Sequence, residues 1–130
     1  MNRRAMSELI SIVCASGLLM FGALAAGGPT APRQNPIPPD GISLETGRKI
    51  YFAHCADCHG SVGKGDGKSA HDLEAEVPDL TNARIAKMSD GQMFDRISRG
   101  KKPMPGFEKR LAEQERWHVV NFVRTLGKPQ

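Results

Sequence analysis

Apolar residues from Leu111 to Leu126 give the clearest element. Val119, Phe122, Val123 and Leu126 recur at i, i+3, i+4 and i+7, one stripe of a 3.6-residue helix, and Gly127 closes it. A second stripe, Met93, Phe94 and Ile97, predicts a helix from about Ser89 to Arg99, ended by Gly100. A third helix is predicted to start at Ser43, read as its N-cap, with Glu45 in the first turn. It runs through Ile50, Tyr51 and Phe52 to a pair of cysteines and stops at Gly60. A short helical piece is expected at 82–88. No segment alternates apolar and polar residues, so an all-α fold with little or no sheet is expected. Gly63, Gly65 and Gly67 mark 61–69 as a flexible loop.

The beginning of the chain has a different pattern. Arg3 and Arg4 precede an apolar run from Leu9 to Ala26, and Ala23-Leu24-Ala25 has the small–x–small form of a cleavage site. Residues 1–26 therefore read as a signal peptide. The alternative is an uncleaved N-terminal anchor, because the run is just long enough to span a bilayer. Either reading exports the rest of the chain. Residues 27–40 hold five prolines, which exclude a helix and predict an extended, semi-rigid linker. Residues 41–130 remain for the folded domain. A domain of that size is marginal without a metal, a disulfide or a cofactor, and only 5% of the chain is aromatic.

The formal charge is +4, and +3 once Arg3, Arg4 and Glu8 of the leader are removed. This mild basicity suits an acidic partner and carries no information about fold. No basic run interleaved with aromatics points to nucleic acid. Of three cysteines, Cys14 falls in the leader, and Cys55 and Cys58 stand in Cys55-Ala56-Asp57-Cys58-His59. On a helix those thiols lie one turn apart on one face, where they reach the two vinyl groups on one edge of a haem. His59, one residue on, turns beneath the ring to ligate iron. C-x-x-C-H is the attachment signal for haem c. A zinc site is a weaker alternative, needing His54 or His71 as a fourth ligand. A thioredoxin-like pair lacks its βαβ setting. A disulfide between adjacent turns would constrain almost nothing.

With this motif in an exported domain, residues 41–130 resemble the small class I cytochromes c. Gly47 and Tyr51 are similar to that family's G-x-x-x-aromatic on the first helix, and Val119 and Phe122 to the apolar–aromatic positions of the last. Cys58-His59-Gly60, the Gly-rich loop, Pro78-Asp79-Leu80-Thr81 and Met104-Pro105 follow in the family's order. The resemblance implies three main helices wrapped around one covalently bound haem. By its M-P motif it implies Met104 as the second axial ligand, since His/Met is the recognised cytochrome c pair. Met93 reads instead as core and Met88 as packed or half-exposed. His71 is a bis-His alternative. His118 shares a helix face with Asn121 and Thr125 and reads as solvated, and His54 as a surface residue. Pro78 is the candidate carbonyl to orient His59. Trp117 reads as core rather than relay.

Six-coordinate iron leaves outer-sphere electron transfer, at a relatively high potential given a methionine sulfur. The sequence places no general acid or base, so no enzyme is expected. The function expected is a periplasmic carrier between a redox donor and acceptor. The alternatives are a membrane-anchored subunit of a dehydrogenase or oxidase complex, or a haem enzyme or gas sensor with an open sixth site. Arg96, Arg99, Lys101, Lys102, Lys109 and Arg110 flank Met104 and would steer an acidic docking surface toward it.

Overall fold

The structure, a computed structural model, describes residues 32–128. The leader and the first part of the linker lie outside the described residues. Five α-helices follow in order: α1 Gly41–His54, α2 Ala56–His59, α3 Ala83–Ala86, α4 Asp90–Arg99 and α5 Glu113–Leu126. A single 3₁₀ turn, Ala70–Asp72, separates α2 from α3. Among the described residues there is no strand, and the fold is all-α. None of these helices is long and apolar enough to cross a membrane.

Helix α1 begins three residues earlier than its pattern predicts. Asp40 is the N-cap, its carboxylate accepting from the Ser43 N–H at 2.8 Å. Ser43 lies inside the first turn and is buried. Glu45 supports the exposed face through Arg48 at 2.8 Å. Ser43, Gly47 and Tyr51, each four residues apart, form the buried face, and that face crosses α5 in the most extensive helix–helix contact of the fold. Gly47 makes the crossing possible, because any Cβ there would collide with the His118 carbonyl. Phe122 packs its ring 5.2 Å from that of Tyr51.

Helix α4 is closed at its start by a capping box on Ser89. The Ser89 hydroxyl accepts from the Gln92 N–H and the Gln92 side chain accepts from the Ser89 N–H. Met93, Phe94 and Ile97 enter the core, where Phe94 stacks on Trp117 of α5 at 4.0 Å. Trp117 is core, as read. Gly100, at φ +72°, ends the helix in a left-handed residue.

Residues 32–40 are extended, as their prolines require, and they are packed against the domain. The Asn35 amide donates to the Asn121 side-chain oxygen at 2.8 Å, and the Asn121 amide donates to the Ile37 carbonyl at 3.0 Å and the Ser43 hydroxyl at 2.8 Å. Ser43 in turn meets His118 Nδ1 at 2.9 Å. His118 is therefore half-buried and hydrogen-bonded, not solvated as its helix face suggested. Helix periodicity sees only α5 and cannot see the arm and α1 that cover it.

Candidate haem-binding site

The predicted first helix does not run unbroken to Gly60. It breaks at Cys55, whose φ of −120° and ψ of −37° leave the helical region, and restarts as the single turn α2. The break closes on itself: the Cys58 N–H reaches the Cys55 carbonyl at 3.2 Å and the His59 N–H reaches it at 2.9 Å. The two cysteines thus sit at the ends of one turn, as the motif requires. Both are free thiols and both are half-buried. Burial, and then the neighbouring Cys58, push the Cys55 thiol up to about 12. That holds it as a thiol, unlike the low-pKa thiolate of a redox pair.

His59 is buried at the end of α2. Burial lowers its pKa, opposed by the Pro78 backbone carbonyl, which favours the charged ring. Nδ1 nevertheless makes no hydrogen bond of full geometry. Three hydrogen bonds fix the turn that carries it and the loop that follows. Tyr51 donates its hydroxyl to the Gly60 carbonyl at 2.7 Å, tying α1 to the end of the motif. The Gly65 N–H donates to the His59 carbonyl at 2.8 Å, and the Leu80 N–H to the Gly63 carbonyl at 2.7 Å. The glycine loop is therefore not a flexible connector. Gly60, Gly63 and Gly65 all have positive φ, and a Cβ at Gly65 would strike the Val77 carbonyl. Pro78 is brought to His59 by this packing. The next turn is held by Asp79, whose carboxylate accepts from the Thr81 N–H and hydroxyl; those bonds, then Lys64, keep its pKa low.

Met104 lies in the non-helical segment its prolines predict. Lys101 and Met104 exchange backbone hydrogen bonds at 3.0 and 2.8 Å, and the Phe107 N–H returns to the Ile97 carbonyl at 3.0 Å. The Met104 side chain is half-buried and packs against the hydrophobic core. Met93 is fully in the core and Met88 is packed against it, as read. His54 and His71 are exposed, and among the described residues no three His, Cys, Asp or Glu side chains converge to hold a metal ion. The two clefts beside the N-terminal arm, one of about 200 Å³ lined by Arg33, Phe94, Ser98 and Arg116, are lined by no motif residue.

Residues 43–123 match the family described as "Cytochrome C oxidase, cbb3-type, subunit III". The chain belongs to the class I c-type cytochromes. Cytochrome c6 of Alaria esculenta is 30% identical to it over 90 residues, 65% of this chain and 92% of that protein. A chain of the Kuenenia stuttgartiensis reducing HAO-like protein complex Kustc0457/Kustc0458 superposes with a TM-score of 0.65 at 32% identity. That match covers 72% of this cytochrome, which spans just under half, 47%, of that chain. The KustC0563 c-type cytochrome superposes with a TM-score of 0.56 at 30% identity, over 63% of this cytochrome and 98% of that one.

This cytochrome is accordingly an electron-transfer protein with covalently bound haem c. Its residues fit that group. Two unpaired thiols one turn apart adjoin a buried imidazole whose Nδ1 has no hydrogen-bond partner, and a half-buried thioether stands in a non-helical loop beside the core. Sequence reading missed the hydrogen bond from Tyr51 to the motif. The only signal was the aromatic at position 51, which periodicity assigns to packing alone.

Proposed function

We propose that this cytochrome is a periplasmic one-electron carrier. In this reading Cys55 and Cys58 would hold haem c through thioether bonds, and His59 and Met104 would ligate its iron. The observation that carries it is the turn at Cys55–His59, where two free, half-buried thiols and one buried imidazole are presented together. When bound, haem c supplies reversible one-electron chemistry at iron. Cys55 and Cys58 fix its position. The Pro78 carbonyl is brought toward His59, where a hydrogen bond from the imidazole would orient the ring and raise the basicity of its ligating nitrogen. Met104 is offered by a segment that the Lys101–Met104 pairing and Phe107 keep in place. A soft sulfur packed against an apolar core favours the reduced state and a high potential.

A second reading has its own support. The matching family is described as an oxidase subunit, and one structural relative belongs to an HAO-like complex. On that reading the chain is a subunit anchored at the periplasmic face by an uncleaved leader. A mature N-terminus near Ala26 in the periplasmic fraction selects the carrier.

Optical spectra of the purified protein in both redox states test the site. One haem per chain, a haem adduct on the Cys55–Cys58 peptide, and a methionine–iron band in the oxidised state are expected. Met104→Ala should abolish that band, lower the potential and admit carbon monoxide to the reduced protein. An unchanged band in Met104→Ala removes Met104 from the assignment. Rapid carbon monoxide binding by the unmodified protein selects an open-site haem protein instead.

A further inference from the structure

Arg116 is a buried charge without a counter-charge. Only 7% of the residue is exposed, and a guanidinium taken this far out of water ordinarily meets a carboxylate. Among the described residues none pairs with it. Its Nη1 donates to the Ser98 hydroxyl, which itself donates to the Phe94 carbonyl at 2.8 Å. Its Nε is buried with no hydrogen-bond partner. The group lies over the Phe94 ring, 4.7 Å from the centroid, and Trp117 stacks on that ring at 4.0 Å. An aromatic face offsets part of the charge and satisfies none of the N–H donors directed along the plane of the guanidinium. Arg116 and Phe94 both line the cleft of about 200 Å³ beside the arm at 32–40. Three segments build that cleft: the arm gives Arg33, α4 gives Phe94 and Ser98, and α5 gives Arg116. The Arg33 guanidinium lies 5.0 Å from the centroid of the same ring, so two cations share one aromatic surface. Arg33 and Arg99 both have Asp95, at 4.0 and 3.6 Å. Glu108 and Glu113 also line the cleft, but they are exposed and neither is paired with Arg116.

We infer that this cleft is a binding site for a small monocarboxylate, held by Arg116 and Arg33 against Phe94. A planar carboxylate presents two acceptor oxygens to one edge of a guanidinium, which is what an arginine with unspent donors lacks. Volume sets the size of the ligand. Sites for cofactors and drug-sized molecules run to roughly 300–1,000 Å³, so this smaller cleft takes an acid of a few carbons. Charge sets its valence. Glu108 and Glu113 tolerate one negative charge on the ligand and repel a dianion such as sulfate more strongly. The site is complete only while the arm is docked, because Arg33 comes from it. It owes nothing to the assignment of His59 and Met104, and no motif residue lines it.

The test is titration of the full, reduced holoprotein with acetate, against chloride and sulfate at matched ionic strength. The Nε–H resonances of Arg116 and Arg33 should shift with acetate and saturate, and half-saturation should need several-fold more sulfate. The midpoint of thermal unfolding should rise with acetate and level off less steeply with chloride. Arg116→Met separates a ligand-binding arginine from a structural one. It should abolish both responses. In a zwitterionic buffer free of carboxylates its midpoint should equal or exceed that of the unaltered protein, because an apolar chain replaces an unpaired buried charge. Arg33→Gln should weaken acetate binding several-fold and leave the midpoint in that buffer unchanged. Glu108→Gln with Glu113→Gln should tighten acetate binding and narrow the discrimination against sulfate. These last two variants decide the matter even if Arg116→Met does not fold. Shifts that stay linear in acetate, or that chloride reproduces at equal concentration, overturn the inference. So does a lower midpoint in Glu108→Gln with Glu113→Gln accompanied by loss of the acetate response, which would make one of those carboxylates the internal partner of Arg116.

Discussion

Gly47 has no side chain because the His118 carbonyl occupies the place where one would begin. An added methyl must push α1 off α5, and overpacking of this kind costs about 2–3 kcal/mol. Gly47→Ala is expected to lower the midpoint of thermal unfolding by about 10 °C or more, read by circular dichroism of the holoprotein. The resemblance picked out Gly47 and Tyr51 from spacing to an aromatic; the close approach of two backbones supplies the cause. Other residues were not legible in this way. Ser43 looks like a helix cap in sequence, yet its hydroxyl is an interior bridge from Asn121 to His118. Its role depends on atoms from elements distant in sequence, and local chemistry favours the cap.

At the scale of elements, the arm at 32–40 is held chiefly by one side chain. Asn121 is buried, donates to Ile37 and Ser43, and accepts from Asn35. Truncating it leaves those buried groups unpaired, at about 1–3 kcal/mol each before relaxation or water entry offsets part of the loss. Asn121→Ala should therefore destabilise the domain by about 2–4 kcal/mol in denaturant titration. Amide exchange at 35–40 should rise more than at α4, whose anchors, Phe94 on Trp117 and Arg124 on Asp90 at 2.8 Å, are untouched. Equal acceleration in both would show that the arm is not separately held. Helices α4 and α5 were readable because each has an amphipathic stripe and a glycine stop. The break at Cys55 was not, because α1 and the motif together present one continuous helical pattern. Only the return of the Cys58 and His59 amides to the Cys55 carbonyl divides it.

For the molecule as a whole, the small size of the core matters most. The largest fully buried side chains are few, with Trp117, Tyr51 and Phe94 foremost, and a domain this small gains little from burial alone. Haem is expected to complete the core as well as to carry electrons. Cys55→Ala with Cys58→Ala, matured in a haem-competent host, should lose most native cooperativity, seen as a broad, early thermal transition. A sharp transition equal to that of the unaltered protein would show that the helices suffice. By itself, the sequence determined the helical stripes, their stops and the C-x-x-C-H chemistry, because each depends on neighbours within a turn or two. Tertiary structure alone decided that the proline arm is docked, that His118 is covered, and that Ser43 bridges Asn121 to His118. Those outcomes are contacts between distant segments, set by which faces meet once the helices cross, and no local pattern encodes them.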